Sequence, residues 1–341
     1  LKNDLLKSLI KIAEDRFAAP QAQQLATFLE NFFRHVPPSD IFDHDPEDLF
    51  GAAVTIWTFA KKRQAGHVKL RAYNPRFESH GWQSSHSVIE IINDDMPFLV
   101  DSITAALNTM GLTVHLVIHP IMQIDRTTAN QPKLLRSASD QPHAITESFM
   151  HVQISAQSSD QDLERIEATL RQVLSDVRAA VEDWQAMRQQ MKAVIDTIAK
   201  ARLPKDLPEP IDKQEISAFL AWIEDNNFTF LGYREYDYVG RGGTARIDDA
   251  GPGLGLLRDP GLAVFDNMRE LGRLPADIRD FVLTPRMLMV MKSNQRSTVH
   301  RTVHLDVITV QKFNAKGKVT GEHRFIGLFT SVAYNTRPSD I

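Results

Sequence analysis

The sequence predicts an α+β fold of two antiparallel sheets joined by a long helix, and three stretches carry that reading. In the first, Ser87 to Met122, the period changes where strand, turn, helix and strand should meet. The second, Ser159 to Leu203, holds no Gly or Pro and repeats apolar residues at alternating intervals of three and four. The third, residues 287–334, contains three β-rich segments, the last two separated by the turn Asn314-Ala315-Lys316-Gly317.

Taken in order, residues 2–17 and 20–35 carry helical patterning, with Leu5, Leu6, Leu9, Ile12 and Ala13 on one face of the first and Leu25, Phe28, Leu29 and Phe32 on one face of the second. Pro37 and Pro38 end the second helix, and Asp45, Pro46 and Glu47 open a third along Leu49, Ala53, Ile56, Trp57 and Ala60. The basic residues 61–63 then fall at a helix C-terminus, where the dipole favours cations. Residues 68–73 read as a strand ending at Asn74-Pro75.

Val88 to Ile92 forms a β-branched run suited to a largely buried strand. Asn93, Asp94 and Asp95 break it. From Pro97 the apolar residues Leu99, Ile103, Ala106, Leu107 and Met110 take helical spacing, with Asp94 or Asp95 placed to cap the start and Gly111 to stop it. Residues 112–124 return as a strand, completing a strand–helix–strand unit, and 145–155 supply a fourth strand. Residues 126–144 are a polar loop or hairpin extension.

The seam through Leu163, Ile166, Leu170, Val173, Val177, Ala180, Trp184, Met187, Met191, Val194 and Ile198 predicts a helix of about 60 Å at ~1.5 Å per residue. Its first half suits packing on the sheet, and the rest needs another partner, such as another segment or subunit. A helical hairpin broken near Asp183 fits the same residues. The prolines of 203–210 make a linker. Asp212 with Glu215 opens a helix along Ile216, Phe219, Leu220 and Ile223 that closes at Asn226-Asn227. A strand at 228–239, a turn at 240–243, a helix near 275–283 and strands at 287–293, 298–313 and 318–334 follow.

Composition excludes several chemistries. With 39 basic and 43 acidic residues the formal charge is -4, which provides no global field for nucleic acid or an anionic membrane. No cysteine is present, so disulfides, thiolate catalysis and Cys-based metal sites are excluded, and a cytoplasmic location fits. No apolar run approaches the ~20 residues needed to span a bilayer. The start at Leu1 and the polar end suggest an excised piece of a longer chain.

An aliphatic strand, an acidic turn, Pro and a hydrophobic helix in succession look like the opening of an ACT domain, the small ferredoxin-like module that often binds amino acids. In that module the last strand follows the second helix, whereas here only helix follows residue 160, so the 68–73 strand is expected to fill that edge. Five runs extend the resemblance: NDDMPFLVDSI (93–103), DVRAAVEDW (176–184), FLAWIEDNNFTFLGYREY (219–236), KSNQRSTVHR (292–301) and HRFIGLFTSVAYN (323–335). In this order they resemble the N-terminal portion of the large bacterial NAD-dependent glutamate dehydrogenases. The resemblance implies N-terminal helices (1–66), an ACT-like domain with a long second helix (67–203), a linker (204–211) and a PAS-like domain (212–335). An entry helix, antiparallel strands and a closing hairpin are compatible with the PAS-like part.

If the first domain is a working ACT module, its effector site is Asn93, Asp94, Asp95, Met96, Phe98 and Leu99, with helix-start amides for a carboxylate and turn acids for an amino group. ACT domains that bind amino acids commonly have Gly after the Pro, where this chain has Phe98, which should crowd the pocket. Plain capping and packing account for the same residues. His115, His119 and His151 give a conceivable metal set with no carboxylate fixed beside them, and no metal is expected. Lys292, Arg296, His300, Arg301, Lys312 and Arg324 concentrate cations on the closing strands, as an anion site or, more simply, as a solvated or interface face. Aromatic residues interleaved with them are too few for nucleic acid. Gly251-Pro252-Gly253-Leu254-Gly255 lacks the spacing and the following helix of a dinucleotide loop.

The function this implies is a non-catalytic regulatory and architectural segment, with no catalytic residue and no cofactor of its own, and NAD and the chemistry of glutamate in the parent enzyme. Its partners would be the rest of the polypeptide, other subunits of a homo-oligomer and an amino-acid effector. An amino-acid sensor and a pure assembly scaffold are the alternatives.

Overall fold

The N-terminal helices form where the apolar stripes place them: α1 Lys2–Arg16, α2 Ala19–Phe32 and α3 Pro46–Ala60. Asp45 caps α3 by accepting from the Glu47 amide at 2.8 Å, with Pro46 in the first turn, where its missing N–H costs nothing. The computed structural model describes residues 2–42, 44–127, 133–135, 143–203, 210–240, 244–259 and 269–335. Within them the chain divides into two compact units, Leu1–Leu174 and Ser175–Ile341.

In the first unit a sheet of β1 Lys69–Tyr73, β2 Ser87–Asp94, β3 Val114–Ile118, β4 Ile121–Asp125, β5 Lys133–Leu135 and β6 Ala144–Ile154 has the order β1-β2-β6-β4-β5, with β3 also on β6. All of its pairs are antiparallel. β1 lies at the edge beside β2, the place expected for it. α5 Leu99–Thr109 connects β2 to β3. The strand expected over 112–124 is divided at His119-Pro120, because Pro120 has no N–H for the ladder; its carbonyl instead accepts from the Phe149 amide at 3.0 Å. Phe28, Trp57 and Phe149 meet at ring separations of 4.9 and 5.8 Å from Phe28, so the helices α1–α3 cover the sheet face that carries Phe149. Of the polar stretch 126–144, residues 128–132 and 136–142 lie outside the described residues.

The long helical stretch is α6 Asp160–Glu182 and α7 Trp184–Lys200. It is not a hairpin. Asp183 stays in the right-handed region, its amide donates to the Ala179 carbonyl at 3.2 Å, and its own carbonyl accepts from Met187 at 2.9 Å, so i to i−4 bonding passes through it. Within the first unit, Glu167 of α6 accepts from the Ala72 amide at 2.8 Å and Arg171 donates to the Leu70 carbonyl at 2.7 Å, fastening the helix to β1.

In the second unit the seam of α7 finds its partner in another segment of the same chain, one of the two kinds expected for it. Met187, Met191, Val194 and Ile198 pack on α8 Lys213–Trp222 and on Phe228, Phe230 and Phe325 of the second sheet. Trp184 alone leaves the stripe and lies exposed beneath Arg188. Asp212 caps α8 through the Gln214 and Glu215 amides, and Asn226 ends the turn after it at φ 60°. β7 Phe228–Val239, β8 Arg246–Asp249, β9 Leu254–Gly255, β10 Leu288–Arg296, β11 His304–Phe313 and β12 Val319–Phe329 form an antiparallel sheet in the order β10-β11-β12-β7-β8, with β9 on β7. The second unit thus has an entry helix, antiparallel strands and a closing hairpin. α9 Ala276–Leu283 lies within the expected 275–283.

Two strand ends differ from expectation. β11 starts at His304 and not at 298, because Ser297 turns the chain by donating to the Val299 carbonyl at 2.7 Å and His300 takes φ 67°. β12 ends at Phe329, and a short helix, Ser331–Asn335, follows. The linker residues 204–209 and turn residues 241–243 lie outside the described residues.

Candidate functional site

The acidic turn does not do what its sequence suggests. Asn93 and Asp94 are the last residues of β2, and α5 begins at the buried Leu99 with no side-chain cap from either Asp94 or Asp95. Asp95 lies exposed, with its amide donating to the Thr146 carbonyl at 2.9 Å, and Met96 is half-buried beside it. Phe98 occupies the N-cap at φ 71°, the left-handed conformation that glycine adopts without strain. The position thus keeps the backbone of a glycine while carrying a bulky ring. Phe98→Gly is therefore expected to be more stable than Phe98→Ala by about 1 kcal/mol, the reverse of an ordinary helical site, as measured by urea denaturation.

Asp94 is engaged by Arg63. That guanidinium donates to Asp94 Oδ1 at 2.6 Å, to Glu147 Oε1 at 2.6 Å and, through Nε, to the His67 carbonyl at 2.9 Å. Arg126 clasps both oxygens of Glu147 and donates to the Ala60 carbonyl at 3.1 Å. The side chains of Arg63 and Glu147 are fully buried, so Arg63 is an interior ion-pair partner and not merely a cation at the helix end. A second buried group stands beside it on the same sheet face. Glu90 accepts from Arg71 at 2.6 and 2.8 Å and from the Tyr73 hydroxyl at 2.9 Å. Burial pushes the Glu90 carboxyl up, the Arg71 charge pulls it back, and the Tyr73 hydroxyl is driven well above its ordinary range, first by burial and then by Glu90.

The three histidines do not converge. His115 is exposed and lies against His86 with tilted rings whose centroids are 4.2 Å apart, His119 bonds the Ser148 hydroxyl at 2.6 Å, and His151 is buried on β6 between Phe32 and Trp82. Among the described residues no cluster of His, Asp and Glu has the geometry to hold a metal ion.

His151 instead opens onto a cavity of about 520 Å³ on the sheet face covered by the helices. Leu116 and Ile118 of β3 and His151 and Gln153 of β6 form its floor, and the start of α3 and the segment 75–86 form its rim. His151 is 1% exposed and neither ring nitrogen has a hydrogen-bond partner. Burial lowers its pKa to about 4, so the ring is neutral. A lone histidine in the strand pattern Phe149-x-His151-x-Gln153 was the available signal.

In the second unit the basic residues are dispersed. Lys292 pairs with Asp306 at 2.7 Å, Lys312 with Glu235 and Asp237 at 2.6 Å each, and Arg324 with Glu322 while lying 4.5 Å over the Tyr236 ring. Arg301 donates to the Phe329 carbonyl at 2.8 Å, Arg296 to the Thr302 carbonyl at 3.1 Å, and His300 occupies the turn. Neighbours along a strand point to opposite faces, and acids of the same sheet pair with Lys292, Lys312 and Arg324. The glycine-rich stretch packs backbone on backbone. A Cβ at Gly253 would strike the Leu257 carbonyl, one at Gly255 the Leu231 carbonyl, and a 3-10 turn, not an α-helix, follows. These residues do not fit the pyrophosphate of NAD.

Fold and site together define an ACT-type module, its second sheet face covered by helices, followed by an antiparallel α+β unit. The family model described as glutamate dehydrogenase, ACT1 domain, matches residues 28–170. The chain is similar to the NAD-specific glutamate dehydrogenase of Halomonas elongata, 35% identical over 348 residues, which cover 99% of this chain and 21% of the relative. It is also similar to that of Pseudomonas aeruginosa, 31% identical over 93% of the chain and 19% of the relative, and to that of Mycobacterium tuberculosis, 25% identical over 72% and 14%. The chain thus carries a match to the ACT1 domain of glutamate dehydrogenases and spans about a fifth of the length of its first two relatives.

Proposed function

We propose that the chain is a non-catalytic regulatory and architectural segment of a large NAD-dependent glutamate dehydrogenase, the whole enzyme converting L-glutamate and NAD to 2-oxoglutarate, ammonia and NADH. The ACT1 match of this chain, together with glutamate dehydrogenase relatives about five times as long, carries this reading. The buried ionisable groups agree with it. Arg63, Glu147 and Arg126, like Arg71, Glu90 and Tyr73, are committed to one another and form a scaffold of charge, not a set of poised acids and bases. Control from here acts by coupling, in which an effector or a subunit contact biases states that a distant active site also senses. The helices 1–66, the ACT-like part 67–203, the linker 204–211 and the PAS-like part 212–335 are the parts we propose for it. No helix among the described residues is long and apolar enough to cross a membrane, and a cytoplasmic homo-oligomer is the setting we propose.

One surface supports the architectural half of the reading. β10 is an edge strand, and Val290 on it is left exposed. An apolar edge of this kind suits contact with the rest of the polypeptide or another subunit. The test has two arms. The chain alone, given glutamate and NAD, should produce no NADH, while the full-length enzyme lacking these residues should keep hydride transfer and lose effector response or its native assembly. NADH formation by the chain alone would overturn the proposal.

A further inference from the structure

The cavity above His151 has no part in the reading just given, and its lining selects among ligands. The rim is acidic: Asp45, Asp48 and Glu78 face a single guanidinium, Arg76. His86 on the same rim is held below its ordinary pKa by burial and then by His115, so it adds no fixed positive charge. A polyanion entering here would meet net repulsion, whereas a cation would be attracted. At the inner end, His151 presents one N–H donor and one bare nitrogen acceptor, neither with a partner, and Gln153 beside it is nine-tenths buried. Burying an imidazole unsatisfied is unfavourable unless something bonds it. A volume of about 520 Å³ is in the range of sites that enclose a small molecule.

We propose that this cavity is a binding site for a small organic amine, its ammonium held by the carboxylates of the rim and a neutral hydroxyl or amide at its other end bonded to His151. The site is separate from the Asp94 turn. It also stands whether or not the chain regulates a dehydrogenase, because its evidence is the cavity itself.

The experiment titrates the full chain by calorimetry with ethanolamine and glycinamide as amine probes and with acetate and inorganic phosphate as anionic ones. In parallel, the ring resonances of a histidine-labelled sample are followed by NMR. At least one amine should bind saturably, shift the His151 ring signals and bind about tenfold more weakly to Asp48→Asn, which keeps the acceptor for the Gln83 amide while removing the charge. The anions should not bind. Silence from both amines at millimolar concentration, preference for an anion, or binding that leaves the His151 ring unshifted would overturn the proposal. Because the ring signals are read in the unsubstituted chain, the test survives a poorly folding variant.

Discussion

Glu147→Gln is expected to destabilise the first unit by about 3–5 kcal/mol, measured as a fall in the urea midpoint at unchanged slope. The substitution keeps the shape of the side chain, so packing contributes little to the loss. What changes is charge. Glu147 is fully buried and answers two guanidiniums, and after substitution Arg126 has no carboxylate partner in this network while Arg63 has only Asp94, whose side chain is partly exposed. Breaking a buried pair costs far more than the pair contributes over an apolar replacement, because the remaining charge stays buried. The exposed pair Arg16–Glu47, at 2.7 Å, provides the control. Its removal by Glu47→Gln should cost about 0–1 kcal/mol, since solvent already screens both partners. If the two variants lost equally little, the network would be no more than surface decoration. The network also bears on function. Arg63 ties the end of α3 to the ends of β2 and β6, so any displacement of the acidic turn must first part Asp94 from it.

Much of this was readable in the sequence, for reasons that separate it from what was not. β2, α5 and β3 declared themselves because the apolar period changes from two to 3.6 and back within one short stretch, and β7 because its aromatic run is bounded by Asn227 and Gly240. Periodicity reports which side is apolar, however, and not what lies against it. The three-four seam of α7 looks the same facing a second helix or a sheet, and it faces α8 and Phe230. Charge is less legible still. An aspartate between a strand and a helix reads as a cap, and only the fold brings Arg63, from the end of an earlier helix, to Asp94. Likewise the closing strands look like one basic patch because sequence adjacency hides the alternation of faces and the acids that β7 places opposite Lys312. His151 is the clearest omission: beside His115 and His119 it invited a metal, whereas its isolation among Phe32, Trp82 and Ile118 makes it the polar floor of a cavity.

That isolation has a second measurable result: the first unit should lose about 3 kcal/mol of stability as pH falls from the ordinary histidine range to about 4. In the unfolded chain the His151 ring titrates near ~6.5. In the folded chain burial holds it to about 4, so across the interval between them the unfolded state takes up a proton that the native state refuses. The unfolding free energy then falls with falling pH by about 1.4 kcal/mol per unit. Below about 4 both states are protonated and this contribution is constant, while above the unfolded value it vanishes. His44 opposes the charged ring from across the cavity, and Glu90, the β2 residue opposite, is already bonded to Arg71 and Tyr73, so neither relieves the penalty. Urea midpoints taken across this pH range for the chain and for His151→Leu isolate the effect. The variant removes the titrating group, so whatever its stability at neutral pH, the difference between the two curves should narrow or reverse by about 3 kcal/mol on acidification. Parallel curves would mean that the ring is protonated, or bonded to solvent, inside the folded chain, and the cavity floor would then be charged instead of neutral.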